Sequence, residues 1–418
     1  MDDTGRTVHI ETLNGRGEGV AADDHAYAFT LPGETIRLTP LAGGFELLTR
    51  SPERIEPICP YFGTCGGCAT QHMGPMLYAQ WKRGLLVAAL KRAGVEAEVA
   101  PLVDAHGAGR RRATFHARFL SHAHEEVGFM RARSHDIIEI EACPLFEPGL
   151  DGALAAARAL AGDLRRLGKP LDIQATATLA GLDIDIRGSG ALEAAELKKI
   201  ARTAEVLDLA RVSNHGRALV ERRAPEIRCG AARVVPPAGG FLQATVAGED
   251  AMTQLAAEAL VGAKRIADLF CGAGAFALRL GAGREVKAID SDPAAIAALA
   301  RGRATAPGLE RVAAETRDLF QRPLRAEELE PFDAVVFDPP RAGALAQVKE
   351  IARSRIPLVV AVSCAVDTFA RDARALIEGG FTLERVTPLD QFRYSAHVEI
   401  VAVFRRRRAA KRLRGVLG

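Results

Sequence analysis

The stretch Ile266-Ala267-Asp268-Leu269-Phe270-Cys271-Gly272-Ala273-Gly274-Ala275-Phe276 decides the fold. It reads as a buried strand, a tight glycine turn and the start of a helix. Glycines at such a turn let the backbone come close to a ligand. The first two glycines of a dinucleotide fingerprint are present, and Ala277 stands at the third place. Some fingerprints accept alanine there, so a nicotinamide dinucleotide stays open. The departure tilts slightly toward S-adenosylmethionine, which has no pyrophosphate to cradle.

Working outward, residues 236–404 alternate strand and helix. The clearest strands are 264–270, 286–289, 332–337, 358–363 and 398–404. This predicts an α/β, Rossmann-like, doubly wound and mostly parallel sheet. Ligands of such sheets bind beyond the carboxyl ends of the strands. Asp290 ends the strand after the glycine turn, 22 residues past Asp268, where an acid commonly accepts ribose hydroxyls. Asp318 falls where a third strand's end could meet adenine, with an ordinary loop acid the alternative. Asp338-Pro339-Pro340-Arg341 follows another apolar strand, its prolines holding the chain extended. It resembles the Asp-Pro-Pro-aromatic motif of amino-group methyltransferases, but Arg341 replaces the aromatic that would stack on a base amine. Cys364 ends the next strand. A thiol beside a nucleotide-type pocket points to covalent catalysis.

The rest of the chain bounds the answer. Its 418 residues suffice for two or three domains, and 48% apolar with 26% charged residues reads as globular. The start, Met1-Asp2-Asp3-Thr4, lacks the basic, apolar pattern of a secretory signal, and no run reaches membrane-span length. A cytoplasmic protein off the membrane is expected. The net charge of +3 excludes a uniformly basic nucleic-acid wrapper. Two basic clusters, Arg110 to Arg112 and the tail 405–418, could still meet phosphates, or be a solvated loop and a solvated tail. Residues 1–50 hold short strands at 7–11, 26–30 and 34–38 around glycine-rich turns, the pattern of a small barrel. Residues 51–235 read as α+β, with a helix over 75–93. Part of 71–105 is expected to pack on the catalytic domain.

Seven cysteines in a cytoplasmic chain argue against disulfides. Cys59, Cys65 and Cys68, with Cys143 downstream, form a four-thiolate set. Spacing alone favours structural zinc over an iron–sulfur cluster. Cys229 and Cys271 read as packed side chains.

The joint motif set is specific. Phe241-Leu242-Gln243, Asp268-Leu269-Phe270-Cys271-Gly272, Asp338-Pro339-Pro340-Arg341, Ser363-Cys364 and His397-Val398-Glu399 occur in order. The chain therefore resembles the RNA 5-methyluridine methyltransferases, which use S-adenosylmethionine. Gly128 to Ile137 and Cys143-Pro144 are similar to that family's central domain, and the first 50 residues resemble its TRAM domain, an RNA-binding barrel of the oligonucleotide-binding type. Nearly the whole chain is covered. Two departures stand out: Ala275 where relatives often carry asparagine, and Asp290 where many carry glutamate.

The resemblance implies methylation of carbon 5 of a uridine, with 23S rRNA the leading target and tRNA the alternative. It implies Cys364 as the nucleophile and Glu399 as the base that removes the carbon 5 proton, with His397 the rival base. It implies Gln243, Phe270, Gly272, Gly274, Ala275, Asp290, Asp318 and Asp338 at the cofactor, with Arg341 near the base or enolate. The four upstream cysteines resemble those that hold a four-iron four-sulfur cluster in the large-subunit rRNA members. The expected domains are 1–50 (TRAM-like), 51–235 (iron–sulfur), 236–404 (methyltransferase) and a basic tail, 405–418, in a monomer that binds RNA. Readings from other classes are a non-catalytic RNA-binding or assembly protein, which the retained Cys364 and Glu399 disfavour, and a nicotinamide oxidoreductase.

Overall fold

An eight-stranded sheet carries the glycine turn at its centre. In the computed structural model, which describes residues 5–39, 44–121 and 124–407, its order is 312–316, 285–290, 265–269, 334–337, 358–363, 399–406, 381–390, 103–104. The first five strands run parallel, and Glu399–Arg406 pairs antiparallel with both its neighbours. The chain leaves Arg265–Leu269 for one side and returns to Ala334–Phe337 on the other, so a switch point opens between these two strands. The strands Ala334–Phe337 and Leu358–Ser363 are buried at every position, as their unbroken apolar runs require of a sheet covered on both faces. Two large cores lie on either side of it.

The helix Pro75–Arg92 and the short strand Val103–Asp104 join this catalytic unit, the first through Leu86, Ala89 and Leu90 in its core, the second at the sheet edge. The hairpin Ile227–Cys229 with Ala232–Val234 also packs there. Between these segments lies a seven-stranded sheet, order 217–221, 211–214, 181–187, 171–178, 112–121, 124–130, 137–139. Its only parallel pair is Gly181–Arg187 with Arg211–Asn214. The helices Ala153–Leu164 and Ala194–Val206 cover one face, burying an alanine and leucine stripe.

The N-terminal barrel is corrected to a half-barrel. Five antiparallel strands lie in the order 26–27, 19–21, 7–13, 35–38, 45–49, and the two edges do not pair among the described residues. One edge strand has two residues only, too short to close the sheet. The basic tail also starts later than expected: Arg405 and Arg406 belong to the last strand, where Arg406 donates to the Ile351 and Ile356 carbonyls. The remainder of the predicted tail, 408–418, lies outside the described residues. Among those described, no helix is long and apolar enough to cross a membrane.

Candidate active site

Strand register brings the key side chains together. Ser363 pairs with Ile400 across the antiparallel ladder, so Cys364 and Glu399 leave the sheet at the same edge. Leu389 pairs with Glu399, which sets Asp390 and Gln391 at that edge too. Asp338 follows the neighbouring parallel strand. Gln243 arrives from the segment before the helix Val246–Ala259 and donates from Nε2 to Asp338 Oδ2 at 2.9 Å.

The electrostatics follow from this crowding. Burial and the neighbouring Asp338 push the Glu399 carboxyl up to about 8, against the pull of Gln391, Arg341 and Lys82. Burial lifts Asp338 to about 7, with Gln243 opposing. Burial, Glu399 and Asp338 raise the Cys364 thiol to about 11, and Arg341 pulls it down. Three acids in one buried space do not all ionise at neutral pH without added positive charge. Arg341 acts on both Cys364 and Glu399, and Lys82 draws on Glu399 as well. The Arg341 Nη2 lies 3.1 Å from His397 Nε2, and a guanidinium only donates, so that ring nitrogen accepts. Burial and Arg341 hold His397 down at about 4, neutral at physiological pH. This arrangement ties His397 to Arg341 and leaves Glu399 and Asp338 as the carboxyl groups that act on Cys364.

The glycine turn sits one strand away. Phe270 and Gly272 have φ of +61° and +52°, and Gly274 has +99°. A side chain at Gly274 would strike Leu278 and Leu299, whereas nothing lies within 4 Å of a Cβ placed on Gly272. The turn is thus packed on its helix side and open at Gly272. Asp290 Oδ2 accepts from the Gly272 N–H at 2.9 Å, so this acid also braces the turn. Asp318 accepts from the Phe320 N–H at 2.9 Å, and the Phe320 ring lies 5.4 Å from that of Phe270. Ala275 packs against the core. Asp268 is fully buried with no side-chain hydrogen-bond partner among the described residues, and burial and the neighbouring Asp338 raise its carboxyl against a backbone N–H contact from Ala277. An orphaned buried acid beneath an open glycine turn fits a polar cofactor there.

The four cysteines Cys59, Cys65, Cys68 and Cys143 line one cavity of about 830 Å³ between the half-barrel and the seven-stranded sheet. Burial raises the thiols of Cys65, Cys68 and Cys143, and each feels at least one of the other three. Arg110 faces the same cavity and lies over the Phe392 ring. The cysteine loop docks on the loop between the strands Phe381–Asp390 and Glu399–Arg406, as the Ala69 N–H donates to the Tyr394 carbonyl at 2.8 Å. Cys229 and Cys271 lie in the catalytic core instead.

Of the basic cluster, Arg111 is corrected: it is 3% exposed, binds the Gln243 carbonyl at 2.9 Å and pairs with Glu249, so it cannot meet a phosphate. Arg112 lies over the exposed Phe241 ring.

Three groups escaped the sequence. Lys82, fully buried, pairs with Asp390 and donates to the Phe392 carbonyl at 3.0 Å. Tyr78 donates to Asp390 Oδ2 at 2.6 Å and accepts from the Tyr394 N–H at 2.8 Å. Breaking such a pair would strand a buried charge, so it fixes the loop leading to Glu399. A lysine on the apolar stripe of the helix was its signal. Gln391 lies in that loop, where no periodicity marks it.

Residues 235–407 match the family model described as tRNA (Uracil-5-)-methyltransferase. A Brucella suis protein described as an uncharacterized RNA methyltransferase is 44% identical over 402 residues, 95% of this chain and 97% of that protein. The 23S rRNA (uracil(1939)-C(5))-methyltransferase of Chromohalobacter salexigens is 31% identical, over 97% of this chain and 90% of that protein. The fold is that of the Pyrococcus abyssi tRNA (uracil-54, C5)-methyltransferase solved with S-adenosyl-L-homocysteine, with a TM-score of 0.75 at 22% identity, over 95% of this chain and 99% of that one.

Proposed function

The chain belongs to the RNA uracil-5 methyltransferase family, and from that premise we propose that it methylates carbon 5 of a uridine in 23S rRNA through a covalent adduct on Cys364. The observation that carries the chemistry is the meeting of Cys364, Glu399, Asp338 and Gln243 at one sheet edge. Gln243, Phe270, Gly272, Gly274, Ala275, Asp290, Asp318 and Asp338 would hold S-adenosylmethionine. Bound there, it supplies an electrophilic methyl group and a positive charge.

The residues of the chain do the rest. Carbon 5 of uracil is a poor nucleophile. Addition of the Cys364 thiolate to carbon 6 makes an enolate whose carbon 5 can accept the methyl group. Arg341 is placed to stabilise the negative charge on the thiolate and then on the enolate. After carbon 5 is methylated, Glu399 takes its proton, the carbon 6–sulfur bond breaks and the thiolate returns. The reacting carbons lie inside a stack in paired RNA, so the uridine must be unpaired or flipped. The half-barrel, Arg110 and Arg112 are the RNA contacts of this reading.

The rRNA target is supported by the 31% identity to a 23S rRNA enzyme over almost the whole chain, together with the four-cysteine set. The family model's own description favours the tRNA alternative. Mass spectrometry of RNA from a strain lacking this gene separates them. The proposal expects loss of one or more 5-methyluridines from 23S rRNA; loss from tRNA alone would overturn it.

A four-iron four-sulfur cluster in the cysteine cavity belongs to the same proposal. Four thiols around one space, with Arg110 to offset the charge of the thiolates, fit such a group. Among the described residues no group of three or more His, Cys, Asp or Glu side chains is placed to hold a metal ion, so the cluster reading rests on the four thiols sharing one cavity. Anaerobic purification should give about four iron atoms and four acid-labile sulfides per chain, the stoichiometry of that cluster. One zinc without sulfide would rule it out.

A further inference from the structure

Gln391 joins the two halves of the site. Its Oε1 accepts from the Ala244 and Thr245 N–H groups at 3.1 and 3.4 Å. Backbone amides only donate, so this settles which end of the side-chain amide is oxygen. The Nε2 end then donates both to Gln243 Oε1 at 2.9 Å and to Glu399 Oε1 at 3.0 Å. Gln243 passes the chain of donors on to Asp338 Oδ2 at 2.9 Å. The side chain is 1% exposed, and it follows Asp390, which Lys82 and Tyr78 anchor. A side chain at Gly248 would come within 2.7 Å of Gln391 Oε1, so the helix start is shaped around it.

We infer that Gln391 is a positioning residue that holds the Glu399 carboxylate by one oxygen, leaves the other to take the carbon 5 proton, and locks the base to the Gln243–Asp338 edge. The inference rests on the reading of Glu399 as the base. A neutral donor suits the task. It favours the ionised carboxylate without placing another charge beside the enolate. Around Glu399, Asp338 and Cys364 oppose ionisation, Arg341 and Lys82 favour it, His397 is neutral, and Asp390 is engaged by Lys82. Without Gln391, the carboxylate would both swing and hold its proton to higher pH.

The test uses the full chain, S-adenosylmethionine and a 23S rRNA transcript. Gln391→Met keeps the length and loses the amide. Gln391→Glu keeps an acceptor for the Ala244 and Thr245 N–H groups and, once ionised, replaces the donor with a second acceptor beside Glu399. Covalent methylated adduct and free product are measured across pH. In both variants, methylated adduct should still form, while its breakdown to free product slows about tenfold or more relative to adduct formation. Adduct then accumulates, and the rising limb of product release moves to higher pH. Wild-type release with an unmoved limb in either folded variant, alongside trapping by Glu399→Gln, would overturn the role of Gln391 alone. No trapping by Glu399→Gln would overturn the base assignment on which it rests. Failure of both variants to fold would make Gln391 a structural residue and overturn the inference.

Discussion

Cys364→Ala should lower turnover by roughly 10⁴-fold or more, the scale on which enzymes lose a nucleophile. Covalent RNA adducts should vanish at the same time. The size of the effect follows from the chemistry: without addition at carbon 6, carbon 5 has no enolate character to attack a methyl group. The side chain is half-buried at the end of Leu358–Ser363, so removing its sulfur leaves the sheet intact and RNA binding should persist. Cys229 and Cys271 cannot substitute, being packed in the core with thiols that burial raises further. Turnover and gel-resolved adducts with a 23S rRNA transcript check this, and normal turnover would remove Cys364 from the mechanism.

Glu399→Gln should let the first half of the reaction run and stop the second. Methylated RNA remains bonded to Cys364, and product release falls by about 10²–10⁴-fold, the usual contribution of a positioned base. The pH dependence has a definite sign. With its carboxyl raised to about 8, Glu399 carries its proton at lower pH and cannot take another. Release in the wild type should therefore climb as pH rises through about 8 and level off above it. In Glu399→Gln that limb should disappear. Should free product leave at the wild-type rate, another base is at work, and His397 is the first to examine.

Much of this was legible in the sequence because it rests on local, repeated physics. Buried strands such as 334–337 and 358–363 are unbroken apolar runs, and each motif stands at a strand's carboxyl end. The longest catalytic strand, Phe381–Asp390, was not marked: it mixes charges with Pro388, and its pairing with Glu399–Arg406 supplies what its own pattern lacks. Closure of the N-terminal barrel was over-read, because short strands and glycine turns do not say whether edges meet. The candidate nucleophile, base and cofactor acids came from motifs. The network that orients them did not. Lys82 and Tyr78 reach Asp390, and Gln391 reaches Gln243, across more than a hundred residues of chain, while the contact of Gln391 with Glu399 spans 8 residues of a loop that no periodicity marks.

The most direct test of the account is the mass of one peptide. Glu399→Gln is incubated with S-adenosylmethionine and 23S rRNA, the complex is digested with nuclease and protease, and the peptide spanning Cys364 is sequenced by mass spectrometry. The expected result is a 5-methyl-5,6-dihydrouridine nucleotide bonded through carbon 6 to the Cys364 sulfur. An unmodified Cys364 peptide, with methylated uridine found free or on another residue, would contradict it.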